Sequence, residues 1–374
     1  MKVLCVAGAR PNFVKIAPLL RAFEARRREG PDLAVRLVHT GQHYDASLSE
    51  SFFAELEIRR PDVNLGVGSG THGEQTARVL TAVEALCVAE RPDLVVVVGD
   101  VNSTLAAALA AAKLGVPVAH VEAGLRSGDR TMPEELNRML TDALADLCFT
   151  TCAEANENLA REGVTPERIW FVGNVMIDSL LRHRPRARRP PILDQLGLAD
   201  GGYAVLTLHR PSNVDRRETF LAVLEAVEPV AAAMPVLYPV HPRSRRLLDA
   251  HGLTSALARL PRLHLVDPLG YLEFLYLMDH ARLVLTDSGG VQEETTVLGV
   301  PCLTLRRNTE RAVTIDEGTN RLVGVDRAAV AAALADLEGG RWSSGRVPAL
   351  WDGHAAERIA DAVVGTWAKQ RGLA

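Results

Sequence analysis

The run LVVVVG at 94–99 is apolar from end to end. A strand with one wet face alternates apolar and polar residues, so a run without alternation belongs to a strand covered on both faces, as in a parallel sheet between two helical layers. The surrounding chain repeats the theme. Further β-branched runs at 3–8, 35–40, 117–123, 147–152 and 169–174 read as strands. Helical patterns separate them: an amphipathic stretch through Arg28, a region near 47–57, an Ala-rich segment at 103–114 and another around 133–147. Strands alternating with helices predict parallel sheets joined by right-handed crossovers.

The basic, Pro-rich stretch RHRPRARRPP at 182–191 then breaks the pattern. No aromatic residue is interleaved with its charges, so it reads as a solvated linker and not as a nucleic-acid patch. Strands resume at 203–209, 235–241, 263–268, 282–287 and 301–306. The expected fold class is α/β, with two Rossmann-like domains facing across a cleft, at 1–181 and 192–354 on either side of the linker. The length of 374 residues suits that division.

Composition narrows the partners. Lys and Arg number 42 against 46 Asp and Glu, a formal charge of −4. So balanced a chain has no global electrostatic reason to bind nucleic acid or an anionic membrane. No stretch approaches the roughly 20 apolar residues of a membrane span, and Arg10 and Pro11 cut the N-terminal apolar run too short for a signal peptide. The 5 cysteines are an odd number, which argues for a reducing compartment and a cytoplasmic location. Cys148 and Cys152 form a lone C-x-x-x-C, read as buried thiols before zinc ligands. His39 and His43 lack an accompanying Glu and read as loop or core histidines.

In an open α/β sheet, ligands bind beyond the carboxyl ends of the strands, and polar residues collect there. Arg10, Asn12 and Lys15 follow the first strand, and Asp100 follows 94–99. Glu122 ends 117–123, and Glu134, Glu135 and Arg138 open the next helix. In the second half His209 and Arg210 end one strand, His241 the next, and D-S-G-G (287–290) runs into a helix with Glu293 and Glu294. Arg306, Arg307 and Arg311 follow the last strand. Ser288, Gly289 and Gly290 place backbone N–H groups at a helix start, which suits a phosphate. Glu294 could accept from a ribose diol, and Arg10 and Arg311 could clamp a diphosphate. Asp100, Glu122 and Glu134, with His209, offer an acid and a base. Mg²⁺ would also suit carboxylates and diphosphate, but Arg10, Lys15, Arg138 and Arg311 can supply the positive charge. The absence of G-x-G-x-x-G and of a P-loop leaves NAD and ATP chemistry without a signal.

These motifs, G-A-R-P-x-x-x-K (8–15), T-G-Q-H (40–43), G-D-x-x-S-T (99–104), H-V-E-A-G-L-R (120–126), M-P-E-E-x-N-R (132–138), H-R (209–210), Y-P-V-H-P (238–242), T-D-S-G-G-x-Q-E-E (286–294) and T-E-R (309–311), occur in this order. Together they resemble the non-hydrolysing UDP-N-acetylglucosamine 2-epimerases. The resemblance implies a glycosyltransferase-B-type fold whose C-terminal helix, here within 355–374, returns to the first domain. It implies interconversion of UDP-GlcNAc and UDP-ManNAc through 2-acetamidoglucal, without NAD or metal, in a homodimer. Asp100, Glu122 and Glu134 would be the acid/base set. His209 would help at the leaving diphosphate and Arg138 would hold a carboxylate. Arg10, Lys15, His241, Ser288, Gly289, Gly290, Glu294 and Arg311 would bind UDP and its sugar, with Phe274 near the uracil.

The chain departs from the common pattern at three places. Gln42-His43-Tyr44-Asp45 stands for Q-H-R, Pro211-Ser212-Asn213 for Arg-Glu-Asn, and Ala312 for the Pro after T-E-R. The departures point away from the usual activation by a second UDP-GlcNAc. T-H-G-E-Q-T (71–76) and the loop 124–135 also resemble relatives acting on UDP-2,3-diacetamido-2,3-dideoxy-glucuronate, so a more decorated sugar is one alternative. A glycosyltransferase of the same fold is another, and a nucleotide-sugar-binding protein without turnover a third.

Overall fold

The structure, a computed structural model, describes residues 1–8, 10–29, 32–41 and 53–373, without the side chains of Arg10 and Gln370. Gln42, His43, Tyr44, Asp45 and the start of the helix expected near 47–57 lie outside the described residues. The chain divides into two units, Met1–Arg182 with Ala349–Ala374, and His183–Pro348.

Among the described residues the first unit holds seven parallel strands: β1 (Lys2–Ala7), β2 (Ala34–His39), β3 (Val63–Asn64), β4 (Leu94–Val98), β5 (Val118–Ala123), β6 (Leu147–Thr150) and β7 (Ile169–Phe171), in the order β3-β2-β1-β4-β5-β6-β7. All five residues of β4 are 0–1% exposed, as the unbroken apolar run required. The second unit holds six: β8 (Ala204–Thr207), β9 (Val236–Pro239), β10 (Leu263–Val266), β11 (Leu283–Thr286), β12 (Cys302–Thr304) and β13 (Asn320–Leu322), in the order β10-β9-β8-β11-β12-β13. Every pairing in both sheets is parallel. In each sheet the strand order reverses beside the unit's first strand, at β1/β4 and at β8/β11. That reversal is the switch point at which doubly wound sheets bind ligands, so each unit is a Rossmann-like sheet.

Strands β3 and β13 and several helices, among them His72–Glu90, Ala153–Arg161 and Val175–His183, were not anticipated. β3 and β13 are edge strands of two and three residues, too short to show a period. The helix His72–Glu90 begins at a capping box, in which Thr71 and Glu74 satisfy each other's backbone N–H groups, and buries Val79, Val83 and Cys87 at four-residue spacing. Apolar residues off that stripe, such as Val88 at 61% exposed, blur it.

The chain's last segment packs within the first unit, against the helix Arg10–Glu29. The Asp178 carboxylate caps its start, accepting from the N–H groups of Ala355 at 3.1 Å and Ala356 at 2.7 Å. Trp351 donates its indole N–H to the Thr151 carbonyl at 2.8 Å. The basic stretch after Arg182 is pinned by ion pairs: Arg184 forks onto Asp279 with both bonds at 2.9 Å, and Arg189 reaches Asp194 at 3.0 Å and Asp200 at 2.6 Å. All five cysteines are buried free thiols, and burial pushes Cys5, Cys148 and Cys302 up to about 12. His39 lies edge-on to the Phe13 ring. Among the described residues no helix is long and apolar enough to cross a membrane, and no three His, Cys, Asp or Glu side chains are grouped to hold a metal ion.

Candidate active site

In the first unit the site begins where β4 ends. Gly99 turns the chain at φ +69°. A Cβ there would stand 3.1 Å from Lys15 Nζ and 3.5 Å from Glu122 Oε2, so glycine leaves room for the two side chains to meet. Lys15 and Glu122 form an ion pair, with side chains 8% and 1% exposed. Glu122 itself has φ +75°, and the β5–β6 register shifts between Val121 and Ala123. A bulge of this kind re-aims a side chain out of the strand's alternation. For a glutamate the left-handed conformation costs about 1–3 kcal/mol, so its surroundings must hold it.

Asp100 follows Gly99 and meets Arg138 at 2.5 Å. The Arg138 guanidinium, 1% exposed, also bonds Glu135 at 2.6 Å, so one buried cation serves two carboxylates. Burial works to raise the Glu135 carboxyl. Hydrogen bonds from the Ser127 backbone and from Arg138 outweigh it and hold the group below the usual carboxylate range. Glu134, four residues before Arg138 on the same helix, is half-buried and has no hydrogen-bond or ion-pair partner among the described residues. Asn137 donates to the Asp100 carbonyl at 2.9 Å.

The helix Pro133–Leu144 that carries these groups is turned inside out. Glu135, Asn137, Arg138, Thr141 and Asp142 are buried, while Leu136 and Leu140 are 38% and 52% exposed. A helix serving only the core would bury the leucines. The buried polar face serves the strand ends.

In the second unit Asp287, at the end of β11, anchors the loop after β8. It accepts from the N–H groups of His209 at 3.1 Å and Arg210 at 3.0 Å, and from the Asn213 amide at 3.1 Å. Burial would raise its carboxyl, but these bonds and the nearby His209 ring keep it below the usual range. His209 Nδ1 lies 3.0 Å from Asp287, while the side chain stays 55% exposed. An imidazole held this way presents Nε2 to a ligand.

Ser288 caps the helix Gly289–Leu298 without a side-chain cap bond, which leaves first-turn N–H groups for an anion. A Cβ at Gly289 would stand 2.7 Å from Glu310 Oε1, so that carboxylate or the helix start would have to shift. Glu310 pairs with Arg306 at 2.7 Å and lies 3.6 Å from Arg210. Arg311 pairs with Glu293 at 2.8 Å, both buried. Burial, and then the charge of Glu293, push the Glu294 carboxyl up to about 8. Gly290 follows in the same helix turn. His241 is exposed and caps the helix Pro242–Ala250, its Nδ1 accepting from the Arg243 N–H at 3.2 Å. Phe274 is half-buried on the helix Tyr271–Asp279. Arg10 opens the helix Arg10–Glu29, and its side chain is outside the described residues.

The structure therefore brings Lys15 to Glu122 and Asp100 to Arg138 in one unit. In the other it gathers His209 around Asp287, and sets Gly289 beside Glu310 and Arg311, with Arg306 on Glu310 and Glu293 on Arg311. Sequence reading assigned no role to Glu135, Asp287, Glu293, Arg306 or Glu310. Most of them adjoin an assigned residue in the chain, which was the available signal. His120 and Asp142 were also missed. Asp142 stands four residues beyond Arg138, on the polar face of the inverted helix.

The profile of the family described as UDP-N-acetylglucosamine 2-epimerase matches residues 25–364. The chain is 42% identical over 329 residues to a UDP-N-acetylglucosamine 2-epimerase of Methanocaldococcus jannaschii, covering 87% of this chain and 88% of the relative. It is 43% identical over 331 residues to a UDP-2,3-diacetamido-2,3-dideoxy-D-glucuronate 2-epimerase of Pseudomonas aeruginosa, covering 87% and 89%. The crystal structure of Methanocaldococcus jannaschii UDP-GlcNAc 2-epimerase in complex with UDP-GlcNAc and UDP superposes with a TM-score of 0.89 at 39% identity, over 98% of this chain and 100% of that one. With a family profile over most of its length and relatives this similar, the chain belongs to the UDP-N-acetylglucosamine 2-epimerase family.

Proposed function

We propose that this chain is a non-hydrolysing 2-epimerase that interconverts UDP-GlcNAc and UDP-ManNAc. The observation that carries the reading is the pair of carboxylates at the ends of β4 and β5, Asp100 and Glu122, each engaged by its own cation, Arg138 and Lys15. Inversion at C2 needs a base on one face of the sugar and an acid on the other. One carboxylate takes the C2 proton, and the C–H electron pair becomes the C1–C2 double bond. The bond from C1 to the UDP oxygen breaks, and UDP departs with the C1–O bonding pair, leaving 2-acetamidoglucal. A second carboxylate then protonates C2 from the opposite face as a UDP oxygen adds back to C1. Asp100, Glu122 and Glu134 form this acid/base set, with Arg138 holding Asp100.

The departing diphosphate needs stabilisation. Ser288, Gly289, Gly290 and Arg311 supply it, with Arg10 and Lys15 adding charge and His209 assisting through Nε2. Glu294 takes the ribose, Phe274 lies near the uracil and His241 contacts the substrate. The reaction as written uses neither NAD nor metal. Incubation with UDP-GlcNAc in excess EDTA, followed by separation of the nucleotide sugars, gives a mixture with UDP-ManNAc on this account. Free ManNAc with UDP as the sole products contradicts it.

A second reading, epimerisation of UDP-2,3-diacetamido-2,3-dideoxy-glucuronate, draws on the 43% identity to the Pseudomonas aeruginosa enzyme. The same assay on both sugars decides between them. A homodimer is supported by the exposed Leu136 and Leu140, one helical turn apart. Light scattering at twice the 40.4 kDa chain mass is the expected result.

A further inference from the structure

Asp142 is fully buried, and its carboxylate takes three donors from one short stretch of chain. His120 Nδ1 lies at 2.6 Å, the Gly124 N–H at 3.0 Å and an Arg126 guanidinium nitrogen at 2.7 Å. His120 and Gly124 stand two residues before and two residues after Glu122. The other ring nitrogen of His120 bonds the Gly99 carbonyl at 2.8 Å, and Gly99 precedes Asp100. One carboxylate thus grips both sides of the bulge that carries Glu122. Through His120 it also grips the turn that carries Asp100.

Both turns need holding, since Gly99 and Glu122 have φ of +69° and +75°. A glutamate there relaxes toward extended backbone unless its neighbours over-determine it. Burial works to raise the Asp142 carboxyl, and His120 and Arg126 outweigh it and keep it below the usual range, as suits a carboxylate that stays charged to hold its donors.

We propose that His120 and Asp142 are positioning residues for the epimerisation, locking the backbone of Gly99–Asp100 and of Glu122 so that the two carboxylates keep their relative placement. This rests on the acid/base reading of Asp100 and Glu122. Neither His120 nor Asp142 touches the sugar; they act through hydrogen bonds to other residues.

The test compares His120→Gln, His120→Asn and Asp142→Asn with the wild type. A glutamine amide reaches where Nε2 stands and can keep the bond to the Gly99 carbonyl, whereas asparagine is too short. The proposal expects kcat to fall about 10- to 100-fold in His120→Asn and Asp142→Asn, the scale of an ångström misplacement. It expects KM to stay within about twofold, because Ser288, Gly289, Gly290 and Arg311, the main diphosphate groups of that reading, are untouched, and His120→Gln to recover most of the loss. Wild-type kcat in a folded His120→Asn overturns it, as does a loss carried by KM or one that glutamine does not rescue. Crystal structures give a readout independent of turnover. Glu122 leaves the left-handed region in Asp142→Asn or His120→Asn on this account, and retention of its φ in both overturns the proposal. A wild type inactive on every UDP-sugar sinks the functional reading instead, and the crystallographic result still decides the positioning role.

Discussion

Lys15 and Glu122, 107 residues apart in sequence, close a buried ion pair beneath the Gly99 turn. Two charges out of water hold each other, so removing one strands the other. Lys15→Met is expected to cost about 3–5 kcal/mol of stability. The double variant Lys15→Met with Glu122→Gln is expected to regain most of it, because a neutral pair leaves no buried charge. Chemical denaturation of the four proteins closes the cycle. Additive losses contradict the pairing.

Asp100→Asn and Glu122→Gln keep size and hydrogen-bonding atoms and remove proton transfer. Each is expected to lower epimerisation by about 10²–10⁴-fold, the usual worth of a general acid or base. UDP affinity by calorimetry is expected to change by less than about twofold, since Ser288, Gly289, Gly290 and Arg311, the main groups of the proposed diphosphate site, are unchanged. Activity retained in both removes the acid/base assignment.

Gly289→Ala tests the anion site. The added Cβ stands 2.7 Å from Glu310 Oε1, so either the carboxylate or the helix start must move. UDP affinity is expected to drop about tenfold or more, equivalent to about 1.4 kcal/mol. Circular dichroism is expected to match the wild type. Unchanged UDP binding places the diphosphate elsewhere.

Glu294 makes a prediction in pH. Its carboxyl is pushed up to about 8 in the folded protein, mainly by burial, and in the unfolded chain it ionises at roughly 4.3. Between those values the folded state holds a proton that the unfolded state has released. The group's stabilising contribution is therefore complete at low pH and is lost as pH rises through 8, at up to about 1.4 kcal/mol per pH unit. Asp178, raised to about 6 by burial, adds the same sign over a narrower window. Denaturation of UDP-free protein between pH 5 and 8 is expected to show a flatter decline in Glu294→Gln than in the wild type. Parallel profiles contradict the assignment.

Much of this was legible in the chain. The unbroken run of β4 announced a doubly covered parallel strand, and the strand-end rule led to Asp100, Glu122, His209 and Ser288 from sequence alone. Two kinds of feature were not. β3 and β13 are too short to carry a period, and they form only because β2 and β12 offer open edges to pair with. The supporting network was hidden because partnership between distant residues leaves no local signature. His120 reads as part of a strand and Asp142 as an ordinary helix residue until β5 meets the helix Pro133–Leu144. That helix did carry one sign, since Glu135, Arg138 and Asp142 recur at core spacing where leucines belong.

The central claim is removal and return of the C2 proton on a UDP-sugar. Proton NMR of UDP-GlcNAc with the purified protein in D₂O, with no metal or NAD added, tests it directly. The account predicts deuterium at C2 of the nucleotide sugars together with a new UDP-ManNAc anomeric signal. A UDP-ManNAc signal that retains hydrogen at C2 contradicts it, because inversion would then proceed without exchange with solvent.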